Sequence, residues 1–583
     1  MRRGNNPDLL LLHAPSVYDF REKSIFYGPV ADVIPSSPVF EMYPLGFLTI
    51  ASYLNEHGMS VRIANLAVRM MNERRFSVPR FLASLRPRAI GIDLHWLPHA
   101  HGALEVARVV KEIHPDVPVI MGGLSATYFH EELIGYPQVD FVLRGDSTEP
   151  PLLQLLQSFG DRRALSEIPN LTWKDGGSPQ VNPMTFLPPA LDYVDLRPDL
   201  VVDMVMRYRD RKSVMPFDGW WRNPITAVFT VKGCAYECVT CGSSNTTCVH
   251  LTKRTRPAFR SPTSLAANVV ALSRLTRAPI FFVGDPLQAG ADYANEMLAA
   301  LHEANVPNEL GFEFFDLPPL DFLHRIDASV ANWSMEISPE SHDHEVRRAQ
   351  EGEPEYDNAQ LERMLSEALR LRCHRVDVFF MIGLPRQTYQ SVQDTISYCE
   401  HLFSTSDRRL SCFITPMGPF VDPGSRVFEN PEVFGYRLFA HSLEEHRQLL
   451  LQPSWEAILN YETRWMSRTE LVDATYDAAE RLNELKLKYG RVSSRRGRQV
   501  ASRIRAAREL RRRLAESHGE ELRETELKGD ISRFSESTVC DKRELFWPRH
   551  LFNFRVAEVI RIGLRHFRHG GQPVSPAVSS STS

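Results

Sequence analysis

The sequence predicts an α/β protein built from two parallel-stranded units, the first doubly wound and the second a partial barrel, followed by helices. Three observations carry that expectation. Short β-rich runs alternate with helical patterns through residues 1–160. The alternation resumes at Ile225 and gives six βα-type units by Pro416. A cysteine cluster stands where the first strand of that second unit ends. Alternation of this kind implies parallel sheets with helical crossovers.

In the first unit, "LLLLHAP" from Leu9 reads as a buried strand, and a Pro- and Ser-rich loop follows. "PLGFLTIASYLNEHGM" has apolar residues at helical spacing and ends at Gly58, a natural C-cap. "SVRIANL" is a strand, "RFLASLRP" a short helix closed by Pro87, "AIGIDLHW" a strand and "ALEVARVVKEIHP" a helix. "PVIMGG" and "DFVLRGD" complete five strands. Ligands of such sheets sit at the carboxyl ends of strands. Here those ends carry Asp93 to His95, Gly122-Gly123 and Gly145-Asp146. Residues 161–225 lack helical periodicity and read as a Pro-rich connector, with a hairpin signal at Asp175-Gly176-Gly177.

The second unit runs from "TAVFTV", which enters the cysteine loop directly, through "PIFFVGD", "ELGFEFF", "SVANWSMEIS" and "RVDVFFMIGLP" to "RLSCFITP", with a helix between most pairs. Such units close into barrels whose active sites lie on the rim after the strands. The expected division is 1–160, a linker with a hairpin at 161–224, the barrel at 225–440, a helical domain at 441–568 and a disordered tail at 569–583. Arg491 to Arg513 is rich in arginine, but the acidic run "EELRETELKGD" follows, and a solvated helical face is expected there. A last amphipathic helix is expected from about Phe546 to Phe567.

Bulk composition excludes several classes. The 583 residues are 43% hydrophobic and 24% charged with a net charge of −4, so neither nucleic acid nor an anionic membrane is an expected partner. No run approaches the ~18 apolar residues of a membrane span. The N-terminal leucine run is broken by His13 and Pro15, too early for a signal peptide. The 8 cysteines do not form a disulfide framework, and a reducing cytoplasm is the expected location.

Cys234, Cys238 and Cys241 are spaced Cys-x3-Cys-x2-Cys, with Cys248 trailing. Zinc usually takes four ligands in two close pairs, and this spacing matches no common zinc knuckle. A 4Fe–4S cluster held by three cysteines fits it, leaving one iron open to a further ligand.

The loop "KGCAYECVTC", with "SMEISPES" and "FFMIGLPRQT" behind it, resembles the signature of the radical S-adenosylmethionine (SAM) superfamily. In front, "YPLGFLTIASYLNEHGMSVRIANL", "PVIMGGLSATYFHEEL" and "DFVLRGDSTEPPLLQLL" resemble the cobalamin-binding, Rossmann-like domain of its class B, the cobalamin-dependent enzymes. The resemblance covers about residues 9–430. It implies that Cys234, Cys238 and Cys241 hold the cluster and that SAM chelates the open iron. It places Gly383, Leu384 and Pro385 near the adenine and Glu336, Ser338 and Glu340 near the SAM ribose or amino group. Gly122, Gly123, Ser125 and Gly145 match the loops that face the cobalamin.

Two departures from the family pattern stand out. The cobalt-ligating histidine motif is absent after the first strand, and His95 is not read as that ligand. Arg69, expected in the loop after the second strand, is a candidate to lie beneath the corrin. The family's aromatic residue before the last cysteine is replaced by Thr240. Asp285 is a rim carboxylate that could meet SAM, substrate or the open iron; its plain alternative is a helix N-cap. Cys248 is read as structural.

The activity so implied is C-methylation of a small molecule by SAM via methylcobalamin, in natural-product biosynthesis, with an aromatic heterocycle such as an indole as one candidate substrate. An external electron donor such as flavodoxin or ferredoxin is the implied partner. A ring-forming or ring-contracting enzyme on the same scaffold, and a cobalamin-binding sensor or carrier, are the alternatives.

Overall fold

The computed structural model describes residues 6–23, 25–29, 36–194, 197, 199–222, 226–352, 355–516, 540, 542–545 and 553–568. The acidic run at 520–530 and the tail at 569–583 lie outside them. Seven strands form the first sheet: β1 (Leu9–His13), β2 (Val61–Asn65), β3 (Ala89–Asp93), β4 (Val119–Gly122), β5 (Phe141–Leu143), β6 (Leu171–Asp175) and β7 (Ser178–Val181), in the order β2-β1-β3-β4-β5-β6-β7. The first five are parallel. They are apolar runs because helices cover both faces, so every side chain of β1, β2 and β3 is buried. The order reverses between β1 and β3, and the loops after these two strands mark the crevice where open sheets bind ligands.

The hairpin signalled by Gly176-Gly177 forms as β6–β7, but it is part of the sheet: β6 pairs antiparallel with β5. The connector also contains helices at Arg162–Glu167 and Leu200–Tyr208, contrary to the reading from periodicity. The second helix buries Leu200, Val201, Val202 and Met204. Six of its first seven residues are apolar, which conceals the 3.6-residue period.

β8 (Thr226–Phe229) starts the second sheet. A two-stranded ribbon, β9 (Val231–Lys232) with β10 (Ala258–Phe259), brackets the cysteine loop. The sheet continues with β11 (Ile280–Val283), β12 (Leu310–Phe314), β13 (Trp333–Glu340), β14 (Cys373–Ile382) and β15 (Leu410–Pro416). These six strands are all parallel and follow chain order from β8 to β15, an open (β/α)6 arc. A small antiparallel ladder, β16 (Tyr436–Leu438) with β17 (Tyr461–Thr463), follows. Helix Arg468–Lys488 packs behind β14 and β15 and carries Ser494–Glu516 on it, and a helix at Val556–Arg568 follows.

One apolar core runs continuously from the first sheet into the arc, through Leu10, Ile92 and Met121 to Phe282, Phe312 and Phe380. Polar contacts fix the seam. Arg254, just past the cysteine loop, grips Asp146 after β5 with two hydrogen bonds, Nε to Oδ2 at 2.5 Å and Nη2 to Oδ1 at 2.8 Å. Lys232 Nζ donates to the Asp146 carbonyl at 2.7 Å. Farther out, Tyr136 Oη donates to Glu444 at 2.7 Å and the Leu443 N–H to Glu132 at 2.9 Å.

The seam makes one clear prediction. Arg254→Met strands a buried carboxylate, and breaking such a pair costs roughly 3–5 kcal/mol. Urea titration is expected to show that loss for the first transition. Arg162→Met, which breaks the exposed pair with Asp175, is expected to move the midpoint by less than ~1 kcal/mol.

Candidate functional site

A cavity of about 700 Å³ opens between the two sheets at the carboxyl ends of their strands. Its first wall is made by Asp93, His95, Gly122, Gly123, Gly145 and Asp146. The opposite wall is the arc interior, with Phe229, Phe281, Glu313, Glu336, Asp377 and Phe379. Gly242, Ser243 and Cys248 bring the cysteine loop to its edge. The volume is that of a small-molecule or cofactor site.

Gly123 has φ of +118°, and a Cβ there would meet the His95 Cα at 2.5 Å. Only glycine lets the loop after β4 lie against the loop after β3. Of the residues expected to face a corrin, Gly122, Gly123 and Gly145 line the cavity. Ser125 does not. Its hydroxyl donates to the His95 carbonyl at 3.2 Å and so joins the same two loops.

The crevice between β1 and β3 is wired by buried histidines. His13 Nδ1 meets Asp93 Oδ1 at 3.0 Å, and His13 Nε2 and His99 Nε2 donate to the Phe40 carbonyl at 2.9 and 2.8 Å. Burial alone would lower the His13 pKa, but the Asp93 carboxylate outweighs it and the net shift is upward. Burial likewise opposes ionisation of Asp93, and His13 reverses that, leaving its pKa lowered. Burial depresses His95 and His99 to about 4, so both are neutral at pH 7.

The three cluster-type cysteines share one loop. Cys234 Sγ accepts the Tyr236 N–H at 3.5 Å, Cys241 Sγ accepts the Ser243 N–H at 3.3 Å, and the Cys241 N–H donates to the Cys238 carbonyl at 3.2 Å. Hydrogen bonds to sulfur favour the thiolate, the form that binds iron. Burial pushes the Cys234 and Cys241 thiols up, and nearby carboxylates (Asp285 for the first, Asp422 for the second) add to the rise. The positive core of a cluster would offset that rise at Cys234 and Cys241. Among the described residues no three His, Cys, Asp or Glu side chains converge on a single metal ion. Cys248 stands apart on helix Asn245–Leu251, its thiol donating to the Ser243 carbonyl at 3.4 Å and raised by burial to about 11.

Thr240 is accounted for by a residue that sequence reasoning missed. Its hydroxyl donates to Gln350 Oε1 at 3.2 Å, and Gln350 Nε2 donates to Glu340 Oε2 at 2.7 Å. The Val239 N–H also donates to the Gln350 carbonyl at 3.0 Å. The buried Gln350 thus ties the cysteine loop to the end of β13. Nothing in "RRAQEGE" marks it. Glu336, Ser338 and Glu340 alternate along one face of β13. Gly383, Leu384 and Pro385 follow β14, with Gln387 Oε1 accepting the Gly383 N–H at 2.7 Å and Tyr436 Oη donating to the Gly383 carbonyl at 2.6 Å. Gly383 has φ of +105°, and a Cβ would meet Tyr461 Oη at 2.9 Å.

One sequence expectation needs correcting, and of the alternatives stated for Asp285 one is observed. Arg69 is not in a loop and does not line the cavity; it sits on helix Leu66–Asn72. Its guanidinium pairs with Glu73, donates to Ser213 Oγ at 2.8 Å and lies 4.2 Å over Phe76. Four hydrogen bonds to Glu73, Asp210 and Ser213 hold the fork there, away from the cavity. Asp285 takes its plain alternative as an N-cap: one carboxylate oxygen accepts the Leu287 N–H at 2.8 Å and the other the Phe315 N–H at 3.1 Å, so it clips the ends of β11 and β12 together. Burial lifts it to about 6.

Residues 32–153 match the family model described as B12 binding domain. These residues form a B12-binding domain. The loops at the carboxyl ends of its strands form the first wall of the cavity. An uncharacterized methyltransferase of Pyrococcus horikoshii is 28% identical over 203 residues, which are 34% of this chain and 40% of that protein. The chain therefore spans well under two thirds of this curated relative. Among solved structures, TsrM from Kitasatospora setae with cobalamin and a [4Fe–4S] cluster bound superposes with a TM-score of 0.56 at 14% identity, over 91% of this chain and 99% of that one. TsrM with tryptophan substrate and a SAM analog gives 0.53 at 16% identity, over 74% and 78%. OxsB, a cobalamin-dependent SAM radical enzyme with aqua-cobalamin and SAM bound, gives 0.52 at 12% identity, over 97% and 80%. The fold is that of cobalamin-dependent radical SAM enzymes, as expected from the sequence.

The His13–Asp93 pair sets a pH dependence. The raised His13 contributes stability that is complete below its unfolded value of ~6.5 and is lost as pH rises through the folded value. The lowered Asp93 contributes above its unfolded ~3.9, and that is lost as pH falls through the folded value. The pair therefore stabilises most between about pH 4 and 6.5. Asp93→Asn is expected to flatten the thermal midpoint against pH across that window, measured by circular dichroism. A variant curve of wild-type shape would show that the pair carries no charge.

Proposed function

We propose that this chain is a cobalamin-dependent radical SAM methyltransferase acting on a carbon of a small molecule, with an aromatic heterocycle such as an indole as the favoured substrate. The carrying observation is the single cavity that joins the B12-domain loops to the arc interior and reaches the cysteine loop at Gly242 and Ser243. The likeness to TsrM and OxsB and the curated methyltransferase relative support the reading.

In this assignment Cys234, Cys238 and Cys241 hold a 4Fe–4S cluster. Ser338, Glu340 and the Gly383–Pro385 backbone hold SAM, and Gly122, Gly123 and Gly145 admit the corrin. When bound, these groups supply a transferable methyl and the electron that cleaves SAM. The chain's own contribution is placement and exclusion of water. Gln350 fixes the cysteine loop against β13 through Thr240 and Glu340. Asp146, Arg254 and Lys232 fix the distance between the two walls. Phe229, Phe281, Phe379 and Trp220 give the cavity an apolar, aromatic lining suited to a flat substrate. An external electron donor such as flavodoxin or ferredoxin and a cytoplasmic location complete the proposal.

With anaerobically loaded enzyme and SAM carrying an isotopic methyl label, the label is expected in a carbon-bound methyl of the product. Cys238→Ala is expected to abolish turnover and the cluster's visible absorption while leaving cobalamin uptake within about twofold of wild type. Absence of label from every product, with cluster and cobalamin both loaded, would overturn the methyltransferase reading in favour of another reaction on this scaffold.

A further inference from the structure

Three carboxylates cross the arc interior in a row. Glu313 on β12 is in register with Glu336 on β13, which is in register with Asp377 on β14. Adjacent strands lie about 4.8 Å apart, so in-register residues on one face are direct neighbours. All three side chains line the cavity wall. Their partners are few. Glu313 Oε2 accepts the Gly284 N–H at 2.6 Å, and Asp377 Oδ2 accepts from Arg375 Nε at 2.7 Å. Asp377 is only 5% exposed, yet its Oδ1 is buried with no hydrogen-bond partner. Glu336, between them, has no side-chain hydrogen bond among the described residues. Among the described residues, the cations that act on the row are Arg375, beside Glu336 and Asp377, and Lys486, beside Asp377. Among the described residues, the lysines and arginines of the cavity lining are Lys232, at the seam, and Arg197, on the connector.

Buried carboxylates of like charge this close resist joint ionisation. Burial is the first cause that lifts Glu313 to about 7 and raises Glu336; Asp285 adds to the first, and Glu313 and Asp377 add to the second. Asp377 is raised as well, by burial, against the pull of Arg375. The row has more acceptors than donors, in a chamber walled by Phe229, Phe281 and Phe379. A cation with N–H donors on an apolar body satisfies both features: it supplies the hydrogen bonds Glu336 lacks, and it offsets the charge of the row.

We propose that the Glu313–Glu336–Asp377 row binds a protonated amine of the substrate, so that the molecule acted on is an aryl-alkyl ammonium compound rather than a carboxylic acid. This rests on the proposed methyl transfer only for calling that ligand the substrate. It also separates Glu336 from Ser338 and Glu340. The last two lie nearer the strand end, Glu340 in the network with Gln350 and Thr240, whereas Glu336 sits deeper, about 7 Å below Ser338 and about 13 Å below Glu340 by strand rise.

Binding of tryptamine, indole-3-ethanol and indole-3-propionate to the anaerobically loaded holoenzyme, by titration calorimetry, tests the row. These probes share a ring and differ in the charge of the side-chain end. Tryptamine is expected to bind about 10- to 100-fold more tightly than the alcohol, as hydrogen bonds to charged groups predict, and the acid not detectably. Glu336→Gln and Asp377→Asn are expected to erase the amine's advantage while keeping the alcohol's affinity. Cobalamin uptake and circular dichroism confirm that each variant is folded. Equal affinity for amine and alcohol, no binding by any probe, or an advantage that survives both substitutions would overturn the cation site. So would a Glu336→Gln effect confined to the affinity for SAM. The two readings fail separately. Amine preference without transfer of label keeps the site and removes the methyltransferase, while label transfer to a neutral acceptor, indifferent to Glu336→Gln, does the reverse.

Discussion

The Asp146–Arg254 pair is the constraint on which the rest depends. A site shared by two sheets works only if the gap between them is fixed to a fraction of an ångström, and flexible loops do not fix gaps. Here the fork of a guanidinium closes on a carboxylate across that gap. Arg254 Nη1 also donates to the Pro188 carbonyl at 3.0 Å, which brings in the segment leading from the hairpin. Bidentate geometry sets orientation as well as distance. Because Arg254 lies just beyond the cysteine loop and Asp146 just beyond β5, one interaction positions both cofactor-facing rims.

Much of this was legible in the sequence, for physical reasons. Strands buried on both faces must be apolar, so "LLLLH", "AIGID" and "IFFV" declare themselves. Three cysteines within eight residues have few uses, so the loop's chemistry was legible before its shape. Helix starts were also marked, as at Asp357 with Gln360 and Ser467 with Glu470, where each N-cap and its N3 partner form a capping box.

What stayed hidden is whatever depends on register or on distant pairing. Asp146 and Arg254 are 108 positions apart. The acidic row joins residues of three strands whose alignment no local pattern encodes. Gln350 looks like any polar residue of a turn until β13 is placed beside it. Arg69 fails in the opposite sense: it is a charged residue after a strand, which resembles a functional position, and it spends its hydrogen bonds on neighbouring protein groups. Helix Leu200–Tyr208 was masked by the very apolarity that buries it.

The hairpin beyond β5 has a consequence for the protein in solution. A parallel sheet that ended at β5 would present a bare row of backbone donors and acceptors to any passing strand. Instead its outermost strand is β7, whose four side chains are all exposed and whose second residue is Pro179, which has no N–H to offer. Proline on an edge strand blocks continuation of the ladder. The hairpin therefore acts as a terminator. It lets a sheet that must leave its strand ends open to large ligands keep its side edge closed to other copies of itself.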